Sequence, residues 1–210
     1  MHPMLIPSYP VLRRICVFCG ASHGRHPVYG EVASRLGETL AHQDIELVYG
    51  GGNVGLMGVI ADACLRSGGK VTGIIPKSLV GREIDGERVE HRGVTHLEVV
   101  DSMHTRKARM AELADGFMAL PGGFGTLEEL FEILTWAQLG FHQKPIGLLN
   151  TQGYFDPLLG LLDHALEEQF IRPENLSLLL HEQEPDALLL KMKAYQPPPH
   201  RTWIDNPEQL

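Results

Sequence analysis

Along almost the whole chain, short runs of apolar and β-branched residues alternate with longer amphipathic stretches, and this alternation restricts the fold more than any single motif. The candidate strands are residues 14–19, 45–49, 71–75, 94–100, 117–120, 145–149 and 176–180; the candidate helices are 27–42, 55–67, 102–114, 126–139, 156–168 and 185–194. Strand and helix repeated in this order require parallel strands joined by right-handed crossovers, with helices on both faces of the sheet. The expectation is one doubly wound α/β domain with a mainly parallel sheet, spanning residues 13–195. A chain of 210 residues, 43% of them hydrophobic, can bury one such core. Residues 1–12, rich in proline and without an apolar run long enough for a signal-peptide core, read as an N-terminal arm. Residues 196–210, which begin QPPPH, read as an extended C-terminal tail.

The formal net charge is −8 and no Lys/Arg-rich block interrupts the chain, which excludes nucleic acid as the main partner. No apolar run is long enough to span a membrane. Three cysteines suit a reducing cytoplasm better than a disulfide scaffold. Cys16 and Cys19 form a C-x-x-C, but residues three apart on a strand point to opposite faces and cannot chelate one ion. They read as buried thiols, and no metal site is expected.

In an open parallel sheet, ligands bind outside the carboxyl ends of the strands, where helix amino ends direct free N–H groups. Glycine-rich segments fall at three of these ends: CGASHG, YGGGNVGLMG and PGGFGT. Ser22, Gly51 and Gly52 are therefore candidate substrate contacts. Gly50, Gly52 and Gly55 also match G-x-G-x-x-G, but they follow the second strand rather than the first, and no acidic residue ends the next strand to take a ribose hydroxyl. Close packing or approach to a mononucleotide is the better reading.

In PGGFGTLEE, Gly122, Gly123 and Gly125 permit a close approach that side chains would block, and Thr126 can cap the following helix. Bare N–H groups there make a phosphate cradle. Glu129 is then either a catalytic carboxylate or the far half of a Thr126-x-x-Glu129 capping box. In DSMHTRKARMAEL, Asp101 or Ser102 caps a helix that carries Arg106 and Lys107 early, where the dipole disfavours cations. An anion should compensate them. Met103, Met110, Ala111 and Ala114 mark that helix's inner stripe, and the polar stretch 76–93 reads as an active-site loop or lid. The helix after PGGFGT is apolar nearly all the way round, which calls for a second subunit over its far side and a homodimer.

The block MHTRKARMAELADGFMALPGGFGTLEELFEILTWAQLGFHQKPIGLL, with CVFCGAS, LVYGGGNVGLMG and VTGIIPKSL before it, resembles the LONELY GUY family of cytokinin riboside 5'-monophosphate phosphoribohydrolases, often labelled possible lysine decarboxylases. The resemblance covers about residues 13–190. It implies a Rossmann-like fold, a dimer, and hydrolysis of the N-glycosidic bond of a nucleoside 5'-monophosphate such as AMP or a cytokinin nucleotide, without a cofactor. Carried over by position, Arg106 and Glu129 are catalytic, and Lys107, Gly122, Gly123, Gly125, Thr126 and Thr135 contact the nucleotide. The family's acidic residue before the R-K helix falls in a lengthened loop, on Glu83 or Glu87, with Glu83 preferred. A decarboxylase would need a pyridoxal Schiff-base lysine, for which Lys107 is the candidate. A nucleotide or pterin carrier would share the cradle without turnover.

Overall fold

The computed structural model describes residues 11–84 and 87–198, the side chains of Ile84 and Glu87 excepted. The chain runs β1 (Arg14–Phe18), α1 (Val28–His42), β2 (Glu46–Tyr49), α2 (Gly55–Arg66), β3 (Val71–Pro76), β4 (Glu83–Ile84), β5 (Glu87–Arg88) and β6 (His96–Val100). It continues through α3 (Met103–Leu113), β7 (Gly116–Ala119), α4 (Phe124–Leu139), β8 (Ile146–Leu149), α5 (Asp156–Glu167), α6 (Pro173–Leu176), β9 (Leu179–Glu182) and α7 (Pro185–Lys193). Seven strands form one sheet in the order β6-β3-β2-β1-β7-β8-β9, every neighbour parallel. The doubly wound α/β expectation is met.

Because both faces of a parallel sheet are covered, its strands are apolar throughout; β1, from Ile15 on, β3, β7 and β8 are buried along their length. Leu36 and Leu40 of α1, Ile60 of α2 and Leu188 and Met192 of α7 build the core on one face. Met110 of α3, Leu130 and Ile133 of α4 and Leu162 of α5 build it on the other. Each such side chain contributes about 1.5–3 kcal/mol on burial. Cys16 packs in the second cluster and Cys19 in the first, as their strand spacing requires. All three cysteines are buried and free, and no group of metal-ligating side chains occurs among the described residues.

Three expectations change. The run at 176–180 is not one strand: Pro173 starts the one-turn helix α6, and the final strand is β9, paired through Ile146↔Leu179 and Leu149↔Glu182. Leu12, assigned to the arm, is buried in the core, so the domain begins before residue 13. The described residues between 77 and 93 include a 3-10 turn at Lys77–Leu79 and an antiparallel β4–β5 pair outside the main sheet. The rest of the proposed arm, residues 1–10, and residues 199–210 of the tail lie outside the described residues.

Candidate active site

The chain moves outward from β1 through β2 and β3 to β6, then returns to lay β7 against the other side of β1. This reversal opens a crevice at the carboxyl ends of β1 and β7, the standard ligand position in such sheets. There the Gly20 N–H donates to the Pro121 carbonyl at 3.1 Å, and the Leu56 N–H of α2 donates to the Gly20 carbonyl at 3.0 Å. Gly122 is required at the junction, because a Cβ would lie 2.1 Å from Thr126 Oγ1 and 2.8 Å from the Gly20 nitrogen.

Helix α4 starts at Phe124, three residues earlier than a Thr126 cap implies. Gly123 is its N-cap and offers no side chain to its amino end. The N–H groups of Phe124, Gly125 and Thr126 therefore lack intrahelical acceptors and, with the positive end of the dipole, form a ready anion site. Thr126 is the third helical residue and is buried. Glu129 does not close a capping box: its Oε1 accepts from Arg106 Nη1 at 2.9 Å.

The inner stripe of α3 explains that contact. Ser102, not Asp101, caps the helix, its Oγ accepting from the Thr105 N–H at 3.1 Å. Met103 is exposed rather than inward, and Arg106 occupies the inner position of the first turns, on the same face as Met110 and Ala114. The Arg106 residue is 8% exposed and Glu129 9%. Arg106 Nε donates to the Ile74 carbonyl at 3.1 Å, so β3 holds one edge of the guanidinium and α4 the other. Burial pushes the Glu129 carboxyl above its usual range, and the Arg106 charge opposes only part of that shift. Within the chain, the anion that faces Arg106 is Glu129.

Gly50 gives this pair its space. A Cβ there would sit 1.9 Å from Arg106 Nη2. Gly50→Ala should therefore displace the guanidinium, a flexible side-chain end, while sparing the fold; kcat/KM should fall about 100-fold, the usual effect of misplacing a reacting group by an ångström. Circular dichroism and melting beside the rate measurement check it, and an unchanged rate sinks the assignment. Gly55, with φ +57, lets α2 start directly against the backbone of Ala21 and Ser22. The G-x-G-x-x-G match thus serves close packing around Arg106 and Ser22.

The other predicted residues are placed unevenly. Ser22 is exposed at the crevice, and Gly123 and Gly125 have open space where a side chain would be. Gly51 and Gly52 are buried, and part of their backbone is engaged: the Gly51 carbonyl accepts from the His91 N–H at 2.9 Å, and Gly52 bridges Glu90. Lys107 is turned to the outer side of α4, where its ammonium meets Glu128 and, at 3.0 Å, Glu132. Burial works against its charge, yet the bonds to Glu128 and Glu132 prevail and raise its pKa. Thr135 lies nine residues beyond Thr126 on the exposed side of α4, its Oγ1 donating to the Phe131 carbonyl at 2.7 Å. Glu83 is exposed on β4, its side chain making no hydrogen bond or ion pair among the described residues, and the Glu87 side chain lies outside them.

The residue missed in the loop is Glu90. Its buried carboxylate accepts from the Gly81 N–H at 3.0 Å and from Arg92 at 2.9 and 3.1 Å. Beside it, the Asn53 N–H donates to the Val89 carbonyl at 2.7 Å, and His91 Nε2 meets Asp62 at 3.1 Å. The segment expected as a lid is therefore pinned at its base to the second glycine loop. No spacing rule reveals Glu90, because a turn brings its partners together.

Residues 57–192 match the family model described as possible lysine decarboxylase. The chain is 50% identical over 185 residues, 88% of its length and 74% of the relative's, to the probable cytokinin riboside 5'-monophosphate phosphoribohydrolase LOGL2 of Oryza sativa subsp. japonica. It is 49% identical to the cytokinin riboside 5'-monophosphate phosphoribohydrolase LOG7 of Arabidopsis thaliana, over 88% of this chain and 83% of that one. Among solved structures, the molybdenum cofactor binding protein of Rippkaea orientalis superposes with a TM-score of 0.62 at 23% identity, covering 86% of this chain and 95% of that one. That likeness concerns the fold. The family model covers more than half of the chain and the plant relatives are about half identical over 88% of it, so the chain belongs to the LONELY GUY family.

Proposed function

We propose that the protein hydrolyses the N-glycosidic bond of a nucleoside 5'-monophosphate of the cytokinin riboside class, releasing free base and ribose 5-phosphate. The observation that carries the reading is the buried Arg106–Glu129 pair standing behind the uncapped amino end of α4. Glu129 lies five residues past Phe124, about 7–8 Å along the helix at its usual rise. That is comparable to the span of a ribose from its 5'-phosphate to C1'. The first-turn N–H groups hold the phosphate, and Glu129 faces the anomeric carbon. As the C–N bond breaks, positive charge builds on the sugar; the carboxylate stabilises it or takes a proton from the attacking water. Water supplies the hydroxyl at C1', and a proton goes to the departing base. Arg106 orients Glu129 and balances charge as the nucleotide enters.

The decarboxylase description does not fit. A Schiff-base lysine must be readily deprotonated, whereas the Lys107 ammonium is held charged by two glutamates. A homodimer completes the proposal. Phe124 is 93% exposed and Phe131, two turns on, 39% exposed, leaving an apolar stripe on α4 with Thr135 on the same exposed side. The three buried unpaired thiols suit a reducing cytoplasm.

Purified protein assayed against a panel of nucleoside monophosphates and their nucleosides tests the reading, with free base as product. Nucleosides should react with kcat/KM at least about 100-fold lower, the equivalent of two charge-assisted hydrogen bonds. Equal rates on adenosine and its monophosphate remove the phosphate cradle from the model. Binding of nucleotide without release of base would return the carrier reading.

A further inference from the structure

The tight turn after β8 presents one side chain to the cradle from the flank opposite Arg106. Asn150, buried, accepts from the Phe155 N–H at 2.7 Å and donates to Asp156 Oδ1 at 2.7 Å. Between them the backbone passes through two left-handed residues, Gln152 at φ 55 and Gly153 at φ 69. Left-handed geometry at a non-glycine residue is strained and is kept where surrounding contacts over-determine it. The outcome is the placement of Tyr154. Its ring meets the rings of Phe155 and Tyr29 edge-on, with centroids 5.0 and 6.0 Å away, and its hydroxyl donates to the Gly122 carbonyl at 2.5 Å.

We infer that Tyr154 is a positioning residue of the phosphate site: by holding the Gly122 carbonyl it turns the Gly123 N–H toward the 5'-phosphate. This rests on the functional reading above. In a planar trans peptide, the carbonyl and the following N–H point in opposite directions. The peptide between Gly122 and Gly123 has no side chain on either flank, so rotation of the whole unit meets little steric resistance. Rotated, it would aim the Gly122 oxygen at the phosphate and repel it. On its other side Gly122 packs against Gly20, which limits backbone translation but leaves the peptide's facing to be decided. The Tyr154 hydroxyl decides it. Gly123, the N-cap of α4, then adds its N–H to those of the first helical turn.

Tyr154→Phe keeps the ring contacts and removes only the hydroxyl. The dissociation constant for inorganic phosphate, by calorimetry, and KM for a nucleoside monophosphate should each rise about tenfold, one charge-assisted hydrogen bond. Turnover should change by less than KM, and kcat/KM for the matching nucleoside, which has no phosphate to place, should stay at the wild-type value. A loss equal for nucleoside and nucleotide, or phosphate affinity that does not change, overturns the assignment. If the wild-type protein binds phosphate yet frees no base, the hydrolase reading falls, while a tenfold weaker phosphate affinity in the variant still supports Tyr154.

Discussion

Glu129→Gln lowers kcat by about 100- to 10,000-fold, the range associated with loss of a positioned acid–base group, while the nucleotide still binds and the chain still folds. Glutamine fills the same volume and offers a carbonyl to Arg106 Nη1, so packing between α3 and α4 survives; the missing element is the negative charge. The pH profile supplies the second arm of this test. Burial raises the Glu129 pKa, and both chemical roles open to the residue need the ionised form. Wild-type kcat should therefore fall on the acid side with a midpoint above the ordinary glutamate range, and the residual rate of the variant should lack that limb. A raised folded-state pKa means that Glu129 favours the native state below its unfolded pKa and loses that contribution as pH rises through its folded value. Glu90, Asp101 and Glu182 are shifted the opposite way, so their stabilisation is lost only as pH falls through their depressed values. Activity should accordingly disappear at a higher pH than folded structure does. Inactivation that coincides with acid unfolding, or a variant with near-normal turnover, removes Glu129 from the chemistry.

Alternation of short apolar runs with amphipathic stretches was sufficient for the parallel sheet, because strands buried on both faces and helices buried on one leave different periodicities. The end of the chain was less legible: the leucines after Pro173 serve a helical turn and a strand in succession, and periodicity cannot divide so short a run. At the site, Gly122 and Glu129 could be read because a close backbone approach and a carboxylate near a helix start are local properties. Arg106 was read in part. Its conflict with the α3 dipole was visible, but its inward direction was not, since an apolar Met103 was a better guess for the inner stripe. The N-cap differs for a similar reason: Thr126 is a better capping side chain than Gly123, and local propensity carries no record of the close approach of Gly122 to Gly20 and Thr126 beside the bare end. Glu90 and Tyr154 were illegible in principle. Each acts on a backbone group brought beside it by a turn or a neighbouring strand end, and sequence separation carries no record of that contact.

Arg106→Ala removes the second half of the buried pair, and its expected signature differs from that of Glu129→Gln. Turnover falls by at least about 100-fold, because the carboxylate loses its orientation and the site its preorganised positive charge. Stability falls too. With Arg106 gone, the Glu129 carboxylate keeps its burial without a counter-charge, which costs up to about 3 kcal/mol at neutral pH, the scale for a buried pair deprived of one partner. That cost is electrostatic, so it has a direction in pH: as the solution is acidified, Glu129 takes up a proton and the difference in melting temperature from wild type should narrow. Loss of packing alone would give a deficit independent of pH. Joining Arg106→Ala to Glu129→Gln removes the stranded charge outright, and the double variant should melt above Arg106→Ala at pH 7 although it lacks both groups. Arg106→Lys should rescue little. The guanidinium spans three directions at once, toward the Ile74 carbonyl, Glu129 and the space left by Gly50, and an ammonium on a flexible stem cannot occupy all three. A lysine variant with near-wild-type kcat/KM would show that only the positive charge matters and that the fork geometry does not.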